Sequence, residues 1–168
     1  MMLEVAVDAD EEWDSSSGWE QLARKAAQAA IAESNYPELV DSERPVEISV
    51  TLTGDEQVRA LNSEWRGRDK PTNVLSFPMA DEMDFARQTV AGPELLLGDI
   101  ILAHGVCETE AAEKGVSVEQ HATHLLVHGT LHLLGYDHHE DAQAADMEAR
   151  EVRALARLGI ANPYEEAA

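Results

Sequence analysis

A chain of 168 residues with 12 Lys+Arg against 33 Asp+Glu carries a formal net charge of −21, and 44% of it is hydrophobic. The apolar share supports a packed core, excludes wholesale disorder, and contains no stretch near the ~18 apolar residues a membrane helix needs. The charge excludes a simple basic coat for nucleic acid, so any phosphate contact has to be local; the plain reading of the excess acid is solubility or a salty cell interior.

The first residues, Met1 to Asp8, lack the basic and long apolar regions of a secretory signal. Leu3–Val7 alternates and predicts a strand. Asp8–Ser17, with its acids and serines, predicts a loop or mobile edge. Trp19–Ser34 has Leu22, Ala26, Ala29 and Ala30 at helical spacing, broken by Asn35-Tyr36-Pro37. Val46–Thr53 is an alternating, β-branched strand. Gly54-Asp55 opens a helix to about Trp65, with Val58, Leu61, Asn62 and Trp65 on its face. Asn73–Phe77, between Pro71 and Pro78, predicts a short strand at a sheet edge. Met79–Pro93 has no period and predicts a variable surface loop. Leu95–Ala103 predicts a more buried strand. His104–Lys114 predicts a helix stopped by Gly115. Ser117 and Gln120 form a capping box that starts a helix to Leu134, stopped by Gly135. Asp141–Leu158 predicts a last helix, acidic early and basic late as its dipole prefers.

This order predicts a single α+β domain over 1–168, a roughly four-stranded mixed sheet packed with helices, with acidic loops at 8–17 and 79–93 and a tail at 159–168. Cys107 is the one cysteine, which excludes an intrachain disulfide and a Cys-rich metal site and points to the cytoplasm. Its helical spacing with Val106 and Ala103 reads as core. Ser76 has no base adjacent in sequence, which argues against a serine hydrolase.

All seven histidines lie between His104 and His139. His121, His124, His128 and His132 step by three, four and four, which places them on one helix face. His128 and His132 at i, i+4 can reach one metal ion. Gly135 can turn the chain back so that His138 completes a three-nitrogen set with one position open for water, as catalytic zinc requires. Imidazoles favour zinc or a neighbouring transition metal over magnesium or calcium. The bland alternative is a set of satisfied core histidines. The H-x3-H-x2-G-x2-H spacing resembles the metzincin zinc proteases, but these carry Glu directly after the first His as general base. Gly129 stands there and can move no proton, so peptide hydrolysis is disfavoured.

Arg66, Arg68 and Lys70 place three of the twelve basic residues within five positions. They form either a local phosphate site or a solvated loop paired internally, for instance to Asp69.

Three blocks together carry a family resemblance: His128-Gly129-Thr130-Leu131-His132-Leu133-Leu134-Gly135-Tyr136-Asp137-His138; Leu61-Asn62 with Trp65 through Pro78; and Leu97-Gly98-Asp99-Ile100. In collinear order from about Val46 to Leu158, they resemble the YbeY family of bacterial rRNA maturation factors, described as single-strand-specific, metal-dependent endoribonucleases. The resemblance implies zinc on His128, His132 and His138, with His128 also catalytic, and a functional arginine at Arg66. It implies work on the 3′ end of 16S rRNA and in ribosome quality control. The implied partners are single-stranded rRNA and the small ribosomal subunit, with ribosomal proteins or an assembly GTPase, and no membrane. Arg66 is then expected to hold the scissile phosphate or its transition-state charge, with Arg68 and Lys70 as substrate-steering residues. The rivals are an assembly or RNA-binding factor with a structural metal, and a divergent zinc peptidase.

His124 reads as a support behind the metal ligands, a substrate contact or a buried histidine, the last two equally favoured. Asp137 reads as an orienter of a ligand imidazole or as a turn residue. His104, His121 and His139 read as structural or solvent-facing.

Overall fold

The structure is a computed structural model and describes residues 3–14, 18–41, 44–86 and 94–164. Four strands, β1 (Leu3–Ala9), β2 (Val46–Thr53), β3 (Val74–Pro78) and β4 (Leu95–Ala103), form one sheet in the order β1-β2-β4-β3. β1 and β4 flank β2 in parallel, and β3 runs antiparallel to β4 at the edge, as the bounding prolines predict. The expected α+β architecture with a mixed sheet is what forms.

The alternation in β2 turns Val46, Ile48, Val50 and Leu52 to one face, where they are almost fully buried with Leu97, Ile100 and Leu102 of β4. Helices α1 (Trp19–Ala32), α5 (Val118–Leu133) and α6 (Asp141–Arg157) contribute to that core. Ala23, Ala26, Ala27 and Ala30 make α1 a small-residue helix that can lie close against its neighbours. The large aliphatics Leu126, Leu131 and Leu133 of α5 are fully buried, each stabilising the fold by about 1.5–3 kcal/mol. Helices α2 (Asp55–Arg66) and α4 (His104–Lys114) belong to a second, smaller cluster of Val58, Leu75, Ile101 and Ala103. Asp55 ties these two helices by accepting from Val106 N at 3.1 Å.

Three segments differ from their sequence-based reading. Within 8–17, β1 runs on to Ala9, and Trp13 is buried with its Nε1 donating to Thr53 O at 3.0 Å, so this stretch is pinned to the sheet; residues 15–17 lie outside the described residues. Within 79–93, a short helix α3 (Glu82–Ala86) buries Phe85 against Tyr36, with ring centroids 4.8 Å apart. Asp81 and Asp84 cap it reciprocally, Asp84 N donating to Asp81 Oδ1 and Asp81 N to Asp84 Oδ2; residues 87–93 lie outside the described residues. Third, Trp65, expected on the core face of α2, is 65% exposed. Phe77 of edge strand β3 flanks its ring, with centroids 6.4 Å apart.

One irregularity sets the depth of α5. The β2–β4 register shifts between Glu47 and Ile48, so that Ile48 faces Gly98. Gly98 has φ +143°, and a Cβ there would lie 2.3 Å from Phe77 O and 2.8 Å from Leu133 Cδ2. Glycine therefore lets β3, β4 and the end of α5 meet, one residue from His132.

Candidate metal centre

The capping box forms as the sequence predicts: Ser117 Oγ accepts from Gln120 N at 3.1 Å, and Ser117 N donates to Gln120 Oε1 at 3.4 Å. It sets the phase of α5, and with it the histidine face. His128 Nε2 and His132 Nε2 lie 3.1 Å apart. After Gly135, at φ +97°, the chain doubles back and exposes His138 beside them. One ligand atom from each of the three rings lies within 4.8 Å of the others. Tyr136 anchors this turn: its hydroxyl accepts from Asn35 N at 2.9 Å, and the Arg150 guanidinium sits 4.8 Å above its ring.

The donor chemistry fits a metal ion. Glu151 of α6 is fully buried, and its Oε1 lies 2.5 Å from His128 Nδ1. Burial alone would raise the Glu151 carboxyl. The His124 and His128 rings and the Tyr164 hydroxyl more than offset that and hold it at about 2. An ionised Glu151 accepts, so the neutral tautomer it selects at His128 has the proton on Nδ1 and the lone pair on Nε2. Burial, then the electrostatic influence of the neighbouring His128 and His138 rings, pushes His132 down to about 4, so His132 is neutral at pH 7. With the His132 proton on its other ring nitrogen, a second lone pair faces that of His128 at 3.1 Å, an arrangement that a cation between the two rings satisfies. Nitrogens on one tetrahedral ion at about 2.0–2.1 Å sit roughly 3.3 Å apart, close to the 3.1 Å between His128 Nε2 and His132 Nε2.

The three imidazoles open into a cleft of ≈ 670 Å³ that is also lined by Arg66, Asn73, Ser76 and Tyr136. Arg66 occupies the last turn of α2, which Gly67 ends at φ +68°. Asn62 Nδ2 donates to Lys70 O at 2.8 Å and braces the loop that follows. Asp69 pairs with Arg59 at 2.9 Å rather than with the loop cations. Arg66, Arg68 and Lys70 are exposed, with no side-chain partner among the described residues. Arg68 and Lys70 do not line the cleft. Gly129 is buried where α5 meets the sheet, and a Cβ there would lie 3.0 Å from Ile100 Cγ2 and 3.1 Å from Ser76 Oγ. The position that carries a base in metzincins thus points into packing here.

Comparison with known proteins gives this site its setting. The family profile described as Endoribonuclease YbeY matches residues 6–159. The chain belongs to the YbeY family. The family is one of endoribonucleases, hydrolases that cut within an RNA strand. A protein of that description from Rhizorhabdus wittichii is 53% identical over 97% of this chain and 97% of its own length. One from Sphingopyxis alaskensis is 52% identical over 97% of this chain and 98% of its own. The solution structure of TM1509 from Thermotoga maritima superposes with a TM-score of 0.54 at 22% identity, over 98% of this chain and 100% of that one, and shares the fold.

Sequence reasoning missed Glu151 and Tyr164. Glu151 lies on the apolar stripe of α6 with Met147, Ala154 and Leu155, all buried, and a lone acid on such a stripe is the signal that could have found it. Tyr164 follows α6 and donates its hydroxyl to Glu151 Oε2 at 2.5 Å. The open question about His124 resolves toward burial: it is 7% exposed, with Nε2 3.2 Å from Tyr164 Oη. Asp137 serves the turn, accepting from His138 N at 2.8 Å and facing His139 Nε2 at 3.0 Å, not a ligand ring. His121 meets Glu110 at 2.8 Å. Burial raises the Cys107 thiol to about 12, so it is inert core. No helix of the described residues is long and apolar enough to cross a membrane.

Proposed function

We propose that this chain is a zinc-dependent, single-strand-specific endoribonuclease of rRNA processing, acting in the cytoplasm on the 3′ end of 16S rRNA and in ribosome quality control. The observation that carries the reading is one cleft holding three convergent imidazoles and Arg66, which has no side-chain partner among the described residues. The ribosomal assignment rests on the family; the small subunit, its proteins or an assembly GTPase are the partners it implies. The whole span 1–168 is read as one catalytic domain.

His128 and His132 through Nε2, and His138, are the groups that would hold the ion. When bound, zinc supplies a Lewis acid and lowers the pKa of a water to roughly 7. The chain does the rest. Glu151 fixes the His128 ring and proton position. The Arg66 guanidinium holds a non-bridging phosphate oxygen and neutralises charge that grows on it in the transition state. Arg68 and Lys70, exposed on the loop after α2, draw the strand toward the cleft of an otherwise acidic molecule. Gly129 leaves no carboxylate in the position of a peptidase base, which favours phosphodiester over peptide hydrolysis.

Cleavage of a labelled single-stranded RNA by purified protein tests this. His132→Ala is expected to abolish cutting, and Arg66→Ala to lower kcat/KM by about 10²–10³. Cleavage that survives both substitutions would overturn the reading.

A further inference from the structure

Of the three tryptophans, Trp13 and Trp19 are 2% and 6% exposed, whereas Trp65 is 65% exposed. Trp65 lies in the last turn of α2, whose end is closed by Gly67 and braced by the Asn62–Lys70 hydrogen bond, so its indole is presented from a fixed helix end. Phe77 backs it edge-on at 6.4 Å and 66°. The next residue, Arg66, lines the histidine cleft, and Arg68 and Lys70 follow at once. A large aromatic surface left in water next to unpaired cations and an open cleft matches the requirements of a single strand of nucleic acid, whose bases stack while its phosphates pair. Charge selects this occupant: an apolar peptide would cover the indole but leave the three cations unused. Beyond Phe77 the sheet carries Asp99, its register partner on β4, an acid that disfavours phosphate on that side.

We propose that Trp65, backed by Phe77, is a stacking platform for an unpaired base of the substrate, beside the nucleotide whose phosphate meets Arg66. This rests on the ribonuclease reading and deepens it. A duplex keeps its bases stacked internally and cannot offer one to Trp65, so the platform selects single strands.

The metal-loaded full chain is mixed with a short oligoadenylate, and tryptophan emission is followed by stopped flow before cleavage. Stacking is expected to quench Trp65, the exposed emitter. Trp65→Phe is expected to lose the quenching while keeping most of the affinity. Trp65→Ala is expected to weaken binding and raise KM by on the order of tenfold, with kcat little changed. Unaltered emission from buried Trp13 and Trp19 verifies the fold of each variant. A duplex of oligoadenylate with oligouridylate should leave emission unchanged. The platform is overturned by unchanged affinity in Trp65→Ala, by quenching that persists in Trp65→Phe, by equal quenching with the duplex, or by no binding at all. Quenching through Trp65 without any cleavage would leave the platform standing and sink the nuclease reading; normal cleavage by Trp65→Ala at unchanged KM would do the reverse.

Discussion

Glu151 shows how one residue conditions the centre. A carboxylate with no exposed surface is costly to bury unless its oxygens are hydrogen-bonded, and here His128 meets Oε1 while Tyr164 meets Oε2. The pairing orients the His128 ring and makes Nε2 a better donor. Glu151→Gln keeps the volume and removes the charge. It is expected to weaken metal binding by about 10–100-fold, read by competition against a chromogenic chelator. An unchanged affinity would mean that Glu151 only fills space. The three imidazoles were legible because their spacing is local, within one helix and its turn. Glu151 was not, because it lies 23 residues from His128 and meets it only when α6 packs on α5.

Among elements, α5 is held on three sides. Ser117 starts it, Gly98 admits its end, and Gly129 lets its middle settle against Ile100 and Ser76. Restoring the metzincin residue by Gly129→Glu would drive a carboxylate into that contact, with steric overlap and an unpaired buried charge. It is expected to destabilise the protein by at least about 3 kcal/mol in urea unfolding and to give no casein hydrolysis. A stable variant that cleaves casein would show that packing is not what excludes the base. α6 is positioned by its basic last turns, as Arg153 and Arg157 reach Glu33 at the end of α1 at 3.0 and 2.5 Å. These guanidiniums, Arg157 foremost, hold the Glu33 carboxyl below its usual range. The late basic residues were readable as a dipole match, but their partner on another helix was not. The caps of α5 and the stop at Gly115 were readable because they are satisfied within a few residues. The anchoring of Trp13 and Phe85 was not, because each is buried by residues distant in sequence.

For the whole molecule, the charge of −21 sets both behaviour and substrate access. Glu47 illustrates the self-repulsion: its carboxyl is raised, first by its contact with Glu94, then by burial and by the charges of Glu94 and Glu4. Raising salt from about 0.01 M to about 1 M cuts the Debye length from roughly 30 Å to 3 Å. The melting temperature of the metal-free chain is therefore expected to rise by a few degrees over that range, by calorimetry. A fall would mean that favourable pairs such as Glu33 with Arg153 and Arg157 outweigh the repulsion.

By itself the sequence determined the order of the four strands and the five longer helices, the histidine triad and the basic loop. All are set by period, cap and spacing over short distances, where local sterics and hydrogen bonds decide. Only the tertiary structure decided that Arg66 lines the histidine cleft, that a buried Glu151 and its partner Tyr164 stand behind His128, and that Trp65 faces water. Those outcomes depend on where separate elements meet, and burial, not propensity, chooses the partners.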